Sequence, residues 1–344
     1  MRLRLTAFAL AAVACGFAAA GAAEPAKTDA APGADLAKYL PEDATLYVHV
    51  NVRQFLGAPV IRKAIPMAAA KFEKQIMFGV QLAMAAAPGA GGNVSEDQVK
   101  QVLAGMKDEA TIAQVFDTVK DAVTDVVITA DPGDEQKGLV VIGCNPAVSP
   151  ELVKAFAPQL QNNPQVPIKL KMHEKGDTTV YEFQAPQQPQ ALFFALPKAG
   201  VVCIGASQDA VAKAAGGKGG LNADLKKVVA GRKKTDFLFV GAAGAGKGDD
   251  KVVAGFGRLV LDKDVSGEMS ATYASAEKAQ AEAKEANEHI AHAVEAIKDK
   301  LGGQAKDVAP VLEKAKATAN GNTVTAKFNL PGTVVEKLLA KEKE

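Results

Sequence analysis

The chain has 344 residues, with 40 Lys+Arg against 39 Asp+Glu, 48% hydrophobic residues, three cysteines and no tryptophan. So even a charge balance gives no bulk attraction to nucleic acid or an anionic membrane. The length suffices to bury one large core or two medium ones without disulfide or metal staples.

Residues 1–23 read as an export signal: Arg2 and Arg4, an apolar stretch from Leu5 to Ala20, then the small Gly21 and Ala23 before a cut ahead of Glu24. Cys15 offers the rival of a lipoprotein anchor, although Ala12 stands where a bulky aliphatic is usual and the apolar run continues through Phe17. Either way the expected location is periplasmic or extracellular, away from cytosolic ATP and reduced nicotinamides. Loss of Arg2 and Arg4 leaves 38 Lys+Arg against the 39 acids. No integral membrane span is expected beyond the signal, because Gln81 and Pro88-Gly89 interrupt the apolar stretch from Gln75 to Ser95.

Residues 24–34, EPAKTDAAPGA, form a flexible Pro/Ala/Gly linker. A first module then spans 35–215. It opens with a short helix, Leu36 to Leu40, and the strand LYVHVNV, in which Leu46, Val48, Val50 and Val52 alternate with Tyr47, His49 and Asn51. Helical patterns follow over Arg53 to Ala87, Glu96 to Met106 and Ala110 to Thr118. A hairpin then turns at Asp131-Pro132-Gly133. After a helix from Glu151 to Leu160, the runs IKLKM, TVYEF, ALFFAL and VVCIGA are joined by turns at Lys175-Gly176-Asp177 and Pro197-Lys198-Ala199-Gly200, which predicts antiparallel pairing.

A connecting segment, 216–235, leads to a second module, 236–344, whose element order partly repeats the first. Its long helix, Ala276 to Leu301, places Ala283, Ala286, Ile290, Ala293, Val294, Ile297 and Leu301 on one stripe, with Glu285, Glu288, His292 and Glu295 opposite. The fold class expected is α+β, with antiparallel sheets covered by helices in two related modules.

Several motifs approach chemistry and fall short of it. Gly241, Gly246 and Lys247 fit a phosphate loop, but Gly248 replaces the magnesium-binding hydroxyl, so a flexible glycine loop is expected. Ser207 stands where a hydrolase elbow would place its nucleophile, yet Asp209 occupies the second glycine position and a helix N-cap explains the context. Asp262, Asp264, Ser266 and Gly267 imitate a calcium loop, but Tyr273 takes the place of its closing glutamate, which leaves a polar hairpin turn.

His289 and His292, beside Glu285 and Glu288, have ligand-capable spacing without a third ligand. His49 and His173 lie on separate strands and read as sheet residues. Cys144 and Cys203 end or sit in strand-like runs and are either a disulfide or two buried thiols. Met67, Met77, Met84 and Met106 cluster in the apolar helical region, where they fill core or line a lipophilic groove.

Leu40, Pro41, Glu42 and Asp43, followed by Val50, Asn51, Val52, Arg53, Gln54, Phe55 and Leu56, resemble the opening of a group of exported planctomycete-type proteins of unknown function. The resemblance implies a secreted α+β protein without an assigned reaction, so it carries no catalytic residue over.

The expectation is therefore an exported, non-enzymatic protein working through its surfaces, with no catalytic, cofactor or metal residue assigned and no nucleic-acid partner. One alternative is a carrier of a lipophilic ligand. Another is a hydrolase with a dispersed site, which requires a histidine to meet a carboxylate or nucleophile within a pocket.

Overall fold

The computed structural model describes residues 34–59, 61–62, 117, 120–131, 134–145, 149–151, 153–154, 169–184, 190–245, 252–301, 309–311 and 313–335. The expected signal and most of the linker, the helices with Met67, Met77, Met84 and Met106, and most of the helix from Glu151 lie outside these residues. Among the described residues every strand pairing is antiparallel, so the fold is α+β built on antiparallel sheet. Two compact units divide the chain. One is drawn from Met1–Ala44, Asn51–Leu56 and Ala68–Leu221, the other from Thr45–Val50, Gly57–Met67 and Asn222–Glu344.

In the N-terminal unit the strands are β2 (Val123–Asp131), β3 (Asp134–Cys144), β4 (Lys169–Lys175), β5 (Thr178–Gln184), β6 (Leu192–Lys198) and β7 (Val201–Gly205). They lie in the order β2-β3-β7-β6-β5-β4. Gly176 and Gly200 take φ of 59° and 79° in the β4–β5 and β6–β7 turns, a left-handed backbone that glycine adopts without steric cost. A 3-10 helix (Ala34–Tyr39) and a short helix α1 (Val52–Gly57) precede this sheet in sequence, and helix α2 (Gln208–Ala215) follows it.

Ser207 caps α2, its Oγ accepting from the Ala210 amide at 3.4 Å. Helix α2 packs where Gly205 leaves space: a Cβ there would meet Val211 Cγ2 at 3.1 Å. Beneath it Leu139, Val141, Val180, Ala195 and Cys203 are buried on one sheet face. On the other face Val140, Ile142, Leu170, Tyr181, Leu196, Val202 and Ile204 form a second apolar layer.

The C-terminal unit combines β1 (Leu46–Asn51) with β8 (Leu238–Ala245), β9 (Val252–Leu261), β10 (Val265–Thr272), β11 (Lys316–Asn320) and β12 (Thr323–Leu330), in the order β1-β8-β9-β10-β12-β11. Helix α3 (Ala223–Ala230), N-capped by Asn222, covers the Phe239–Gly241 side of the sheet. A Cβ on Gly241 would lie 3.0 Å from Val228 Cγ1. The long helix α4 (Ala276–Leu301) has the expected bounds and lays Ala279 and Ala283 on Ala317 and Val324 of β11 and β12.

Asn287 of α4 closes the edge strand. Its Nδ2 donates to the Ala317 carbonyl at 2.9 Å, and its Oδ1 accepts from the Ala317 amide at 2.9 Å, as a neighbouring strand would.

One local expectation, the glycine loop from Gly241, is corrected, and two points the sequence leaves open are decided. In β1 the mixed face is the inward one: Tyr47, His49 and Asn51 are buried, while Leu46, Val48 and Val50 are half-buried. The run Gly241–Ala245 is not loop but the end of β8, paired with β9 as far as Ala245↔Val252. Cys144 and Cys203 are free and buried. Their strands are neighbours, but Val141 pairs with Cys203, so three residues on Cys144 faces the opposite side of the sheet. A disulfide between them is excluded by parity alone. Burial pushes the Cys203 thiol up to about 12.

Cross-strand ion pairs tie neighbouring strands within each unit. Glu182 accepts from Lys171 at 3.0 Å and lies 2.8 Å from His173 Nε2, and these two partners hold its pKa below the ordinary value. Burial pulls the Glu268 pKa upward, but its bonds to Arg258 and to Lys327 outweigh that and leave it lowered.

Three outcomes follow from this fold. Asn287→Ala should lower stability in denaturant titration by about 1–3 kcal/mol by orphaning the edge amide and carbonyl of Ala317. The denatured chain spanning residues 24–344 should titrate two free thiols, with no mass change on reduction. Both glutamates ionise more readily folded than unfolded. The stability they contribute is therefore complete above the ordinary carboxyl pKa of 4.5 and is lost as pH falls through the lower folded values. In melts across that range, Glu182→Gln and Glu268→Gln should each flatten the acid-side loss.

Candidate functional site

The near-miss motifs resolve into structural parts. Gly241 is enclosed by Val228, Val229 and Phe239, which leaves no room for a phosphate against it; Gly246, Lys247 and Gly248 lie outside the described residues. Asp262 to Asp264 form the β9–β10 turn. The Asp264 oxygens accept from the Gly332 amide at 3.1 Å and from Asn329 at 3.3 Å. His289 stands 4.0 Å from Glu285 on the wet side of α4, with both side chains more than half exposed. Among the described residues no group of three or more His, Cys, Asp or Glu side chains is placed to hold a metal.

The two strand histidines differ. His49 is 1% exposed and stacks on Tyr47, and Arg232 Nη1 lies 3.0 and 2.8 Å from its two ring nitrogens. A guanidinium donor can serve a neutral imidazole lone pair, so this contact ties β1 to the loop after α3. His173 meets Glu182, as the hydrolase alternative asks of one histidine, but the pair sits on the outermost strands of its sheet beside exposed Lys171. That geometry is a cross-strand hydrogen bond beside the Lys171–Glu182 ion pair.

The less expected feature is a sheet face. Register across the C-terminal unit aligns Val48↔Val240↔Gly257↔Met269↔Ala326 and Val50↔Leu238↔Leu259↔Gly267↔Phe328. Side chains alternate along each strand, so all of these share one face, and none of them is polar. The opposite face carries Arg258, Ser266, Glu268, Ser270, Thr323, Thr325 and Lys327. Helix α4 covers the β11–β12 end of the apolar face.

Farther along that face, Met269 remains 63%, Val253 48% and Phe328 37% exposed. The Phe328 ring lies over Gly267 and reaches toward Leu259, and at Gly257 the nearest atom to a hypothetical Cβ is Met269 Cγ at 3.7 Å. The Phe328 ring thus fills the space over Gly267 and Met269 lies against Gly257, so the face is a continuous apolar surface bearing an exposed aromatic and an exposed flexible thioether. Nothing charged on this face would orient an anion. Its chemistry is burial of hydrocarbon.

The N-terminal unit holds a different oddity within its own apolar layer. Tyr181 is 1% exposed, stacks on Phe194 at 4.9 Å between ring centres, and its hydroxyl has no hydrogen-bond partner among the described residues. Burial, reinforced by the charge of Glu174, raises its pKa, so the phenol stays protonated.

Reading strands for their alternation finds the two-faced pattern of β9, β10 and β12. It does not find Val253, Met269 and Phe328 as exposed residues, because exposure depends on where the helices come to lie. For Tyr181 no sequence signal exists: a buried tyrosine commonly has a partner, and only the folded arrangement of the described residues reveals that this one lacks it.

No protein-family model and no curated protein matches this chain. Among solved structures it is similar to crystal forms of TP0453. Form I is 8% identical with a TM-score of 0.39, covering 90% of this chain and 98% of that one. Form III is 9% identical at 0.41, covering 92% and 100%. Form IV is 9% identical at 0.40, covering 90% and 96%. At these TM-scores the likeness determines neither fold nor function.

Proposed function

We propose that this chain is an exported, non-enzymatic carrier of a lipophilic ligand, whose hydrocarbon lies along the apolar face of the C-terminal sheet. The observation that carries this reading is that Met269 and Phe328, on adjacent strands, are both substantially exposed on a face with no polar side chain along β9 and β10, with Val253 exposed farther along β9. Isolated exposed apolar residues are ordinary on protein surfaces; neighbouring ones on a wholly apolar sheet face are not.

Each methylene transferred from water onto such a surface contributes up to about 0.8 kcal/mol, so an acyl chain can be held without any charged contact. Methionine suits the task because its unbranched side chain repacks around ligands of differing shape. The exported address rests on residues 1–23, and it places the carrier where lipids must cross an aqueous compartment.

Native mass spectrometry of the chain spanning residues 24–344, before and after organic extraction, should reveal an extractable lipophilic mass. Replacing two exposed residues, Val253→Lys and Met269→Lys, should lower affinity for the neutral dye N-phenyl-1-naphthylamine by about ten-fold, roughly 1.4 kcal/mol, with little change in melting temperature. Undiminished binding by the double variant would contradict the C-terminal face as the site.

A further inference from the structure

Tyr181 holds a hydroxyl in the wrong environment. It lies on β5 opposite Met172 of β4 and Phe194 of β6, on the face that also carries Leu170, Phe183, Leu192 and Leu196. A buried hydroxyl left without a partner destabilises a fold by about 1–3 kcal/mol. Phenylalanine would fill the same ring position and keep the stack on Phe194 without that cost. The hydroxyl is therefore a buried donor that no contact among the described residues uses.

The surroundings define what could use it. A protonated phenol with its own donor unengaged calls for an acceptor. The surrounding side chains are hydrocarbon and aromatic, which calls for an apolar body on that acceptor. The acceptor must also be neutral. Glu174 lies on the same sheet face two residues from Met172, its carboxylate held by Thr179 Oγ1 at 3.2 Å, and it opposes a second negative charge near Tyr181. An anion buried in an apolar layer is costly besides.

We infer that the N-terminal unit contains a second lipophile site, in which the Tyr181 hydroxyl donates a hydrogen bond to the carbonyl of a neutral lipid such as an acyl ester. The site selects esters against free fatty acids. It stands on Tyr181 and its neighbours alone and does not require the C-terminal face to bind anything.

The Val253→Lys, Met269→Lys chain is the suitable background, since its C-terminal face is disabled while Tyr181 is untouched. Methyl oleate, labelled with carbon-13 at the ester carbonyl, should bind this protein at least about ten-fold more tightly than sodium oleate at pH 8. Adding Tyr181→Phe should weaken ester binding about five- to ten-fold, the effect of one neutral hydrogen bond. Infrared difference spectra should place the bound carbonyl band at the lower frequency of a hydrogen-bonded ester, and Tyr181→Phe should remove that shift.

Equal ester binding with and without the hydroxyl, a preference for oleate, an unshifted carbonyl, or no ester binding at all would each overturn the inference, leaving the hydroxyl to a buried water. If Tyr181→Phe does not fold, the carbonyl band of the Tyr181-containing protein decides. Failure of the C-terminal site shows separately, as undiminished dye binding before Tyr181 is changed.

Discussion

In an antiparallel sheet successive side chains point to opposite faces, so the pairings Val48↔Val240, Leu259↔Gly267 and Gly267↔Phe328 settle together which residues share a surface. A slip of one residue in β10 would carry Glu268 onto the apolar side and withdraw Met269. The ladder Arg258–Glu268–Lys327 opposes that slip, because all three charges meet only in the observed register. The same parity rule separates Cys144 from Cys203 and brings Tyr181 onto a layer of hydrocarbon. The unlike faces of the C-terminal strands and the two apolar layers of the N-terminal ones are thus consequences of one geometric constraint.

That constraint also explains how far residue patterns reach. Hairpins with Gly176 and Gly200, the cap at Ser207 and the full extent of α4 are legible because each depends on neighbours within a few positions. The inward face of β1 is not. LYVHVNV shows that two faces exist, but Tyr47 and His49 turn inward because β1 pairs with β8, from the far end of the chain, and receives Arg232 from the loop after α3. Aliphatic alternation marks a face without saying whether it is covered.

The methionines illustrate the same limit. Composition draws attention to Met67, Met77, Met84 and Met106, yet the exposed methionines among the described residues are Met172 and Met269, each alone in its strand. The Gly241–Ala245 run misleads in another way, since glycines and alanines read as loop although small side chains are what allow α3 to pack against β8.

The apolar face of the C-terminal unit and the Tyr181 hydroxyl of the N-terminal unit are separate features, the first offering bulk hydrocarbon contact and the second a single polar atom. Photolabelling tests the central claim most directly: an acyl chain bearing a diazirine is equilibrated with the protein, activated, and its attachment sites mapped by peptide mass spectrometry. The account predicts label concentrated on residues 252–269 and 323–330. Label spread evenly over the surface, or absent from these strands, would contradict it.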